Sequence, residues 1–74
     1  MIKENDLQEY RKILSIANNM IKKYSSLDIH NPEYWQNYLS DSDTIIEMNK
    51  DKRSFTRDLL LLVLDELERV GKKD

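Results

Sequence analysis

Apolar residues recur at helical spacing in three stretches of this chain, separated by short polar connections. In the last stretch, SFTRDLLLLVLDELERV, Phe55, Leu59, Leu60, Leu62, Val63, Leu64, Leu67 and Val70 span an arc of roughly 200° at about 100° per residue. So wide an arc predicts a helix from Ser54 to Val70 contacted from two sides. The opposite arc carries Arg57, Asp58, Asp65, Glu68 and Arg69, and Leu61 falls in its middle. Ser54 is placed to cap the helix start, and Gly71 to close its end in a left-handed conformation. Lys72 and Lys73 follow at the carbonyl end, where positive charge is favoured.

The first stretch repeats the signal. Leu7, Tyr10, Leu14, Ala17, Ile21 and Tyr24 alternate spacings of three and four, with Ile13 and Met20 widening the seam on one side. They predict a helix over about 6–24, opened by a capping box of Asp6 and Glu9 or by Asn5. The connection SSLDIHN follows, with Leu27 and Ile29 expected to tuck against the core. Asn31-Pro32 restarts the helix, Asn as cap and Pro at the first helical position.

In the middle stretch Tyr34, Trp35, Tyr38 and Leu39 lead to Ile45, Ile46 and Met48. Ser40 to Thr44 is rich in side chains that bond their own backbone. The expectation is one helix from Pro32 to about Asn49, with a bend or break near Asp41 as the alternative. Because both connections are short, the fold class is all-α: a small antiparallel three-helix bundle forming a single domain over 1–74.

Composition fits that reading. The chain is 39% hydrophobic and 35% charged, with one Gly, one Pro and no Cys. Neither a disulfide nor a thiolate metal site can support the core, so helix packing or self-association must. The apolar run Leu59–Leu64 falls far short of the ~20 residues of a membrane span. MIKENDLQEY lacks the apolar segment of a secretory signal, so a cytoplasmic protein is expected.

Candidate chemistry is sparse. His30, the only histidine, has Asp28, Ser25 and Ser26 nearby, but their spacing prescribes no triad. Asp41, Asp43, Glu47 and Asp51 fail the EF-hand pattern, because Ile45 and Ile46 occupy a ligand position and the obligatory Gly position. Glu66, within the apolar arc, is expected to snorkel or to pair with Lys22 or Arg69. The reading is therefore not an enzyme, with no catalytic residue, cofactor or metal.

Charge is segregated instead. Residues 25–49 hold five acids and no Lys or Arg, whereas Lys50, Lys52, Arg53 and Arg57 form a basic cluster beside the aromatic residues. That cluster is the candidate nucleic-acid patch. A net charge of −2 and the adjoining acidic segment instead favour attraction within the chain. Trp35 is expected in the core and Tyr34 at a partner-binding surface. Leu61, with Leu60 and Leu64 beside it and Arg57 and Glu68 flanking, is the candidate interface strip. Its occupant is another protein or a second copy of the chain.

The pair Tyr34-Trp35 and the segment FTRDLLLLVLDELERV resemble small helical proteins carried by phages and mobile elements of AT-rich Gram-positive bacteria. That group includes inhibitors of host defence, anti-CRISPR proteins among them. The resemblance implies a non-enzymatic accessory or inhibitor protein that covers a surface of its target. The alternatives are a self-associating structural subunit and a small nucleic-acid-binding regulator.

Overall fold

Three helices account for most of the chain in a computed structural model that describes residues 1–72. They are α1 (Glu4–Ser25), α2 (Glu33–Met48) and α3 (Arg53–Gly71), the last entered through a 3-10 turn at Lys50–Lys52. Lys52 Nζ reaches Asp6 at 2.9 Å and Glu9 at 3.2 Å, which sets the start of α3 beside the start of α1. The Tyr34 hydroxyl donates to the Tyr24 carbonyl at 3.0 Å, which sets the start of α2 against the end of α1. The topology is thus up-down-up, with α1 and α3 parallel and α2 antiparallel to both.

α2 is continuous through Ser40–Thr44, without the break that segment allowed. Thr44 donates to the Ser40 carbonyl one turn back, a bond compatible with the helix, so local side-chain bonding does not interrupt it. At its start Asn31 does cap: its side-chain oxygen accepts from the Glu33 N–H at 2.9 Å, with Pro32 already in helical conformation.

The other expected termini are corrected. α1 begins two residues before Asp6, so Asp6 and Glu9 form no capping box and their carboxylates hold Lys52 instead. Ser54 lies inside α3 rather than capping it. The 3-10 turn feeds the helix directly, and the fully buried Thr56 donates its hydroxyl to the Lys52 carbonyl at 2.8 Å. Gly71 is the last helical residue and has no positive φ. A methyl group there would stand 2.7 Å from Ile29 Cδ1, so this glycine admits the packed connection. Lys72 pairs with Glu68, and Lys73 lies outside the described residues.

The core joins Ala17, Met20 and Tyr24 of α1 to Tyr34 and Tyr38 of α2 and to Leu60 and Val63 of α3. Tyr24 is its hub. Its ring meets Tyr34 and Tyr38 edge-on at centroid distances of 5.3 and 4.9 Å, the geometry aromatic quadrupoles prefer. Each buried tyrosine hydroxyl is satisfied: Tyr24 donates to Asp41 at 2.5 Å and Tyr38 to the Leu60 carbonyl at 2.6 Å.

Tertiary contact also resets the phase of each helix. On α1 the buried stripe is Ile13, Ala17, Met20 and Tyr24, whereas Leu14 and Ile21 of the expected seam are exposed. Both stripes have bundle spacing, and facing α2 and α3 together selects the first. On α2 Tyr34 is buried in the core rather than placed at a surface, and Trp35 is half-buried, packed against that core beside the Tyr34 ring. Ile29 packs on the core as expected, whereas Leu27 stays exposed.

Asp41 joins α2 to α1 by accepting from Lys23 at 2.8 Å as well as from Tyr24. The Lys23 ammonium and then the Tyr24 hydroxyl hold its carboxyl below the usual carboxylate range. A carboxyl with a depressed folded pKa adds stability above its unfolded value, near 4, and loses it as pH falls through the folded value. Asp41→Asn is therefore expected to lose less stability than the native chain when urea titrations at pH 5 are repeated below pH 4. An equal loss would show that Asp41 contributes nothing to acid sensitivity.

Candidate interaction surfaces

The four consecutive leucines of α3 have different surroundings. Leu59 is half-buried, Leu60 is buried, and Leu61 and Leu62 are 46% and 65% exposed. Leu61 is partly exposed as expected. The strip proposed around it is not: Leu60 belongs to the core and Leu64 packs on the core's edge. Tyr34 is likewise removed from any docking surface by its burial. Glu68 pairs with Lys72 at 2.8 Å, and the exposed Glu66 pairs with Arg69.

Beside Leu61 the structure opens a cleft of about 200 Å³ between α2 and α3. Tyr38 and Leu60 form its buried base. Leu39, Ile46 and Leu61 supply apolar walls, and Asp43 and Arg57 stand at its exposed rim. Ser42 also lines it, is buried, and its hydroxyl has no hydrogen-bond partner. Burial pushes the Tyr38 hydroxyl up to about 12, with the Ser42 hydroxyl acting the other way. That proximity makes no hydrogen bond of good geometry for Ser42, and Tyr38 directs its proton to the Leu60 carbonyl.

Sequence reading missed Ser42, treating its neighbourhood only as a possible interruption. The available signal was spacing: Tyr34, Tyr38 and Ser42 follow one another at intervals of four, which carries the buried stripe through a serine.

The basic cluster is occupied from within. Lys52 is held by Asp6 and Glu9, Lys50 and Arg53 lie 3.1 and 3.9 Å from Glu47, and Arg57 lies 3.9 Å from Asp58. The exposed pairs contribute little to stability. They do place an acid beside every base of the cluster.

His30 is exposed in the connection, where its backbone N–H donates to Asp28 at 2.9 Å. Asp41, Asp43 and Glu47 lie along a continuous helix, not around a loop. Among the described residues no group of three His, Cys, Asp or Glu side chains could hold a metal ion. No helix of the described chain is long and apolar enough to cross a membrane. Comparison with protein-family models, curated protein sequences and solved structures gives no match.

Proposed function

We propose that the chain is a non-enzymatic protein-binding module whose α2–α3 cleft receives a partner side chain with an apolar body and a hydrogen-bonding end. The observation that carries this reading is the Ser42 hydroxyl, buried without a partner in the wall of an otherwise apolar cleft. An unsatisfied buried hydroxyl costs about 1–3 kcal/mol, so a group that completes it on binding recovers part of that cost. Small-molecule sites usually occupy about 300–1,000 Å³. This cleft, near 200 Å³, suits an inserted side chain instead. Asp43 and Arg57 at the rim offer both signs of charge to the partner's flanking polar groups.

The specific form of the proposal is an inhibitor from a phage or mobile element that covers a host-defence protein. The resemblance carried by Tyr34-Trp35 and Phe55–Val70 supports it, and protection of an incoming phage in a CRISPR-competent host tests it. The nucleic-acid reading is second, since each base it needs already lies beside an acid.

Two substitutions test the cleft. Ser42→Ala removes the unpaired hydroxyl and improves helix propensity, so the free chain should gain about 1 kcal/mol in urea denaturation. Leu61→Glu should remain helical by circular dichroism. A partner captured by a photo-crosslinker at Leu39 should then bind Leu61→Glu at least tenfold more weakly, and Ser42→Ala more weakly than the native chain. Native-like binding by a folded Leu61→Glu would sink the reading.

A further inference from the structure

A second apolar surface lies on the side of α1 and α3 away from α2. Lys23 marks the face of α1 that reaches α2, and Leu14 and Ile21 project roughly 160–180° from it. On α3, Leu62 stands about 100° around the helix from Leu61, turned away from the cleft. Phe55 lies on the same side, and its ring meets Tyr10 at 4.9 Å, tying the two helices together there. Leu14, Ile21, Phe55 and Leu62 are all exposed. They form one stripe across two parallel helices, and no element of the described chain covers it.

We infer that this face is a homodimer interface, in which a second copy is applied about a two-fold axis parallel to the helices. Two observations support a second copy, the first by making room for a partner and the second by matching this chain's own charges. The first is area. The chain exposes 5637 Å², whereas a globular monomer of its mass exposes about 4,800 Å². The excess, about 800 Å², belongs to the whole elongated chain, of which this stripe is one part, and leaves room for an interface of standard size, in which one partner buries about 800 Å².

The second is charge. Arg11 and Lys22 edge the stripe on α1, and Asp58 and Asp65 edge it on α3. Among the described residues Arg11, Lys22 and Asp65 make no ion pair, and Asp58 is met only by neighbouring Arg57 at 3.9 Å. Tyr10 opposes Phe55, an offset of 45 residues between the parallel helices. At that offset Asp58 and Asp65 lie each within about 3 Å along the axis of the levels of Arg11 and Lys22. A two-fold axis parallel to the helices lays α1 of one copy over α3 of the other without changing level. The basic edge of each copy then meets the acidic edge of its mate, and the contact is isologous. Such rim pairs fix register more than affinity. The α2–α3 cleft stays open, so the dimer would present it twice.

Sedimentation equilibrium of the whole chain tests this. The native protein should sediment at twice its 8.9 kDa mass. Leu62→Glu and Leu14→Glu should each weaken the dimer at least tenfold while circular dichroism stays native, and Leu61→Glu should leave it intact. Arg11→Asp and Asp58→Arg should each weaken it severalfold, and their combination should restore it, because only the parallel two-fold pairs those positions. A native chain that is monomeric at its highest soluble concentration would overturn the proposal. So would a dimer indifferent to Leu62→Glu, or one that the combined charge reversal fails to restore. None of these outcomes depends on the cleft, which Leu61→Glu tests separately.

Discussion

Tyr24→Ala is expected to leave the chain largely unfolded. Tyr24 is 1% exposed, contacts two other buried tyrosines and is bonded through its hydroxyl to Asp41. Truncating a buried aromatic to Ala costs about 3–5 kcal/mol. The whole stability of a domain of this length is only roughly 4–11 kcal/mol. Tyr24→Phe keeps the ring and removes one hydrogen bond, so its cost should be about 1 kcal/mol, read as a shift of the urea midpoint. The ring, not the hydroxyl, then carries most of the contribution.

Titration of the same residues gives a second readout. Burial raises the Tyr24, Tyr34 and Tyr38 hydroxyls above the ordinary tyrosine value, that of Tyr38 to about 12, and the bond to Asp41 raises Tyr24 further. A folded pKa above the unfolded one means stability that is complete below about pH 10 and lost as pH rises through the folded values. Cooperative unfolding with the appearance of tyrosinate absorbance is expected above about pH 10. Tyrosinate absorbance that reaches the level of all four tyrosines while the helical signal is unchanged would show that these hydroxyls are not buried in solution.

Leu60→Ala should cost about 2–5 kcal/mol, because Leu60 is 2% exposed and its removal leaves a cavity where the three helices meet. Leu61→Ala and Leu62→Ala should each change monomer stability by about 0.5 kcal/mol or less, as surface substitutions do. Urea titrations of the three variants, kept dilute so that association does not contribute, make the comparison. A Leu61→Ala or Leu62→Ala loss as large as that of Leu60→Ala would place the core on a different face of α3. The comparison has weight because four adjacent leucines are chemically identical and only orientation separates them.

Helix number, class and order were legible in the sequence because they depend on local periodicity and short connections. The Asn31-Pro32 restart was legible for the same reason: a cap bond spans two residues and needs nothing from elsewhere in the chain. So was attraction between acidic and basic segments, although the partners of Lys52 turned out to be Asp6 and Glu9 at the far end of the sequence. The candidate site was less legible. Arg57 and Leu61 do line the cleft, but Leu39, Ser42 and Ile46 on its other wall were not singled out.

Tertiary structure decided the phase. α1 offers two adjacent apolar stripes and α3 an arc about twice as wide as one contact needs, so periodicity alone is satisfied by several rotations of each helix. Packing against two neighbours chooses among them. It buries Ile13, Met20, Tyr34 and Leu60, and leaves Leu14, Ile21, Leu61 and Leu62 facing outward. The same choice converts an expected capping box into a clamp on Lys52 and an expected helix-ending glycine into space for Ile29. Periodicity records which side chains avoid water. Which of them meet one another depends on where the other two helices stand, and that is a property of all three together.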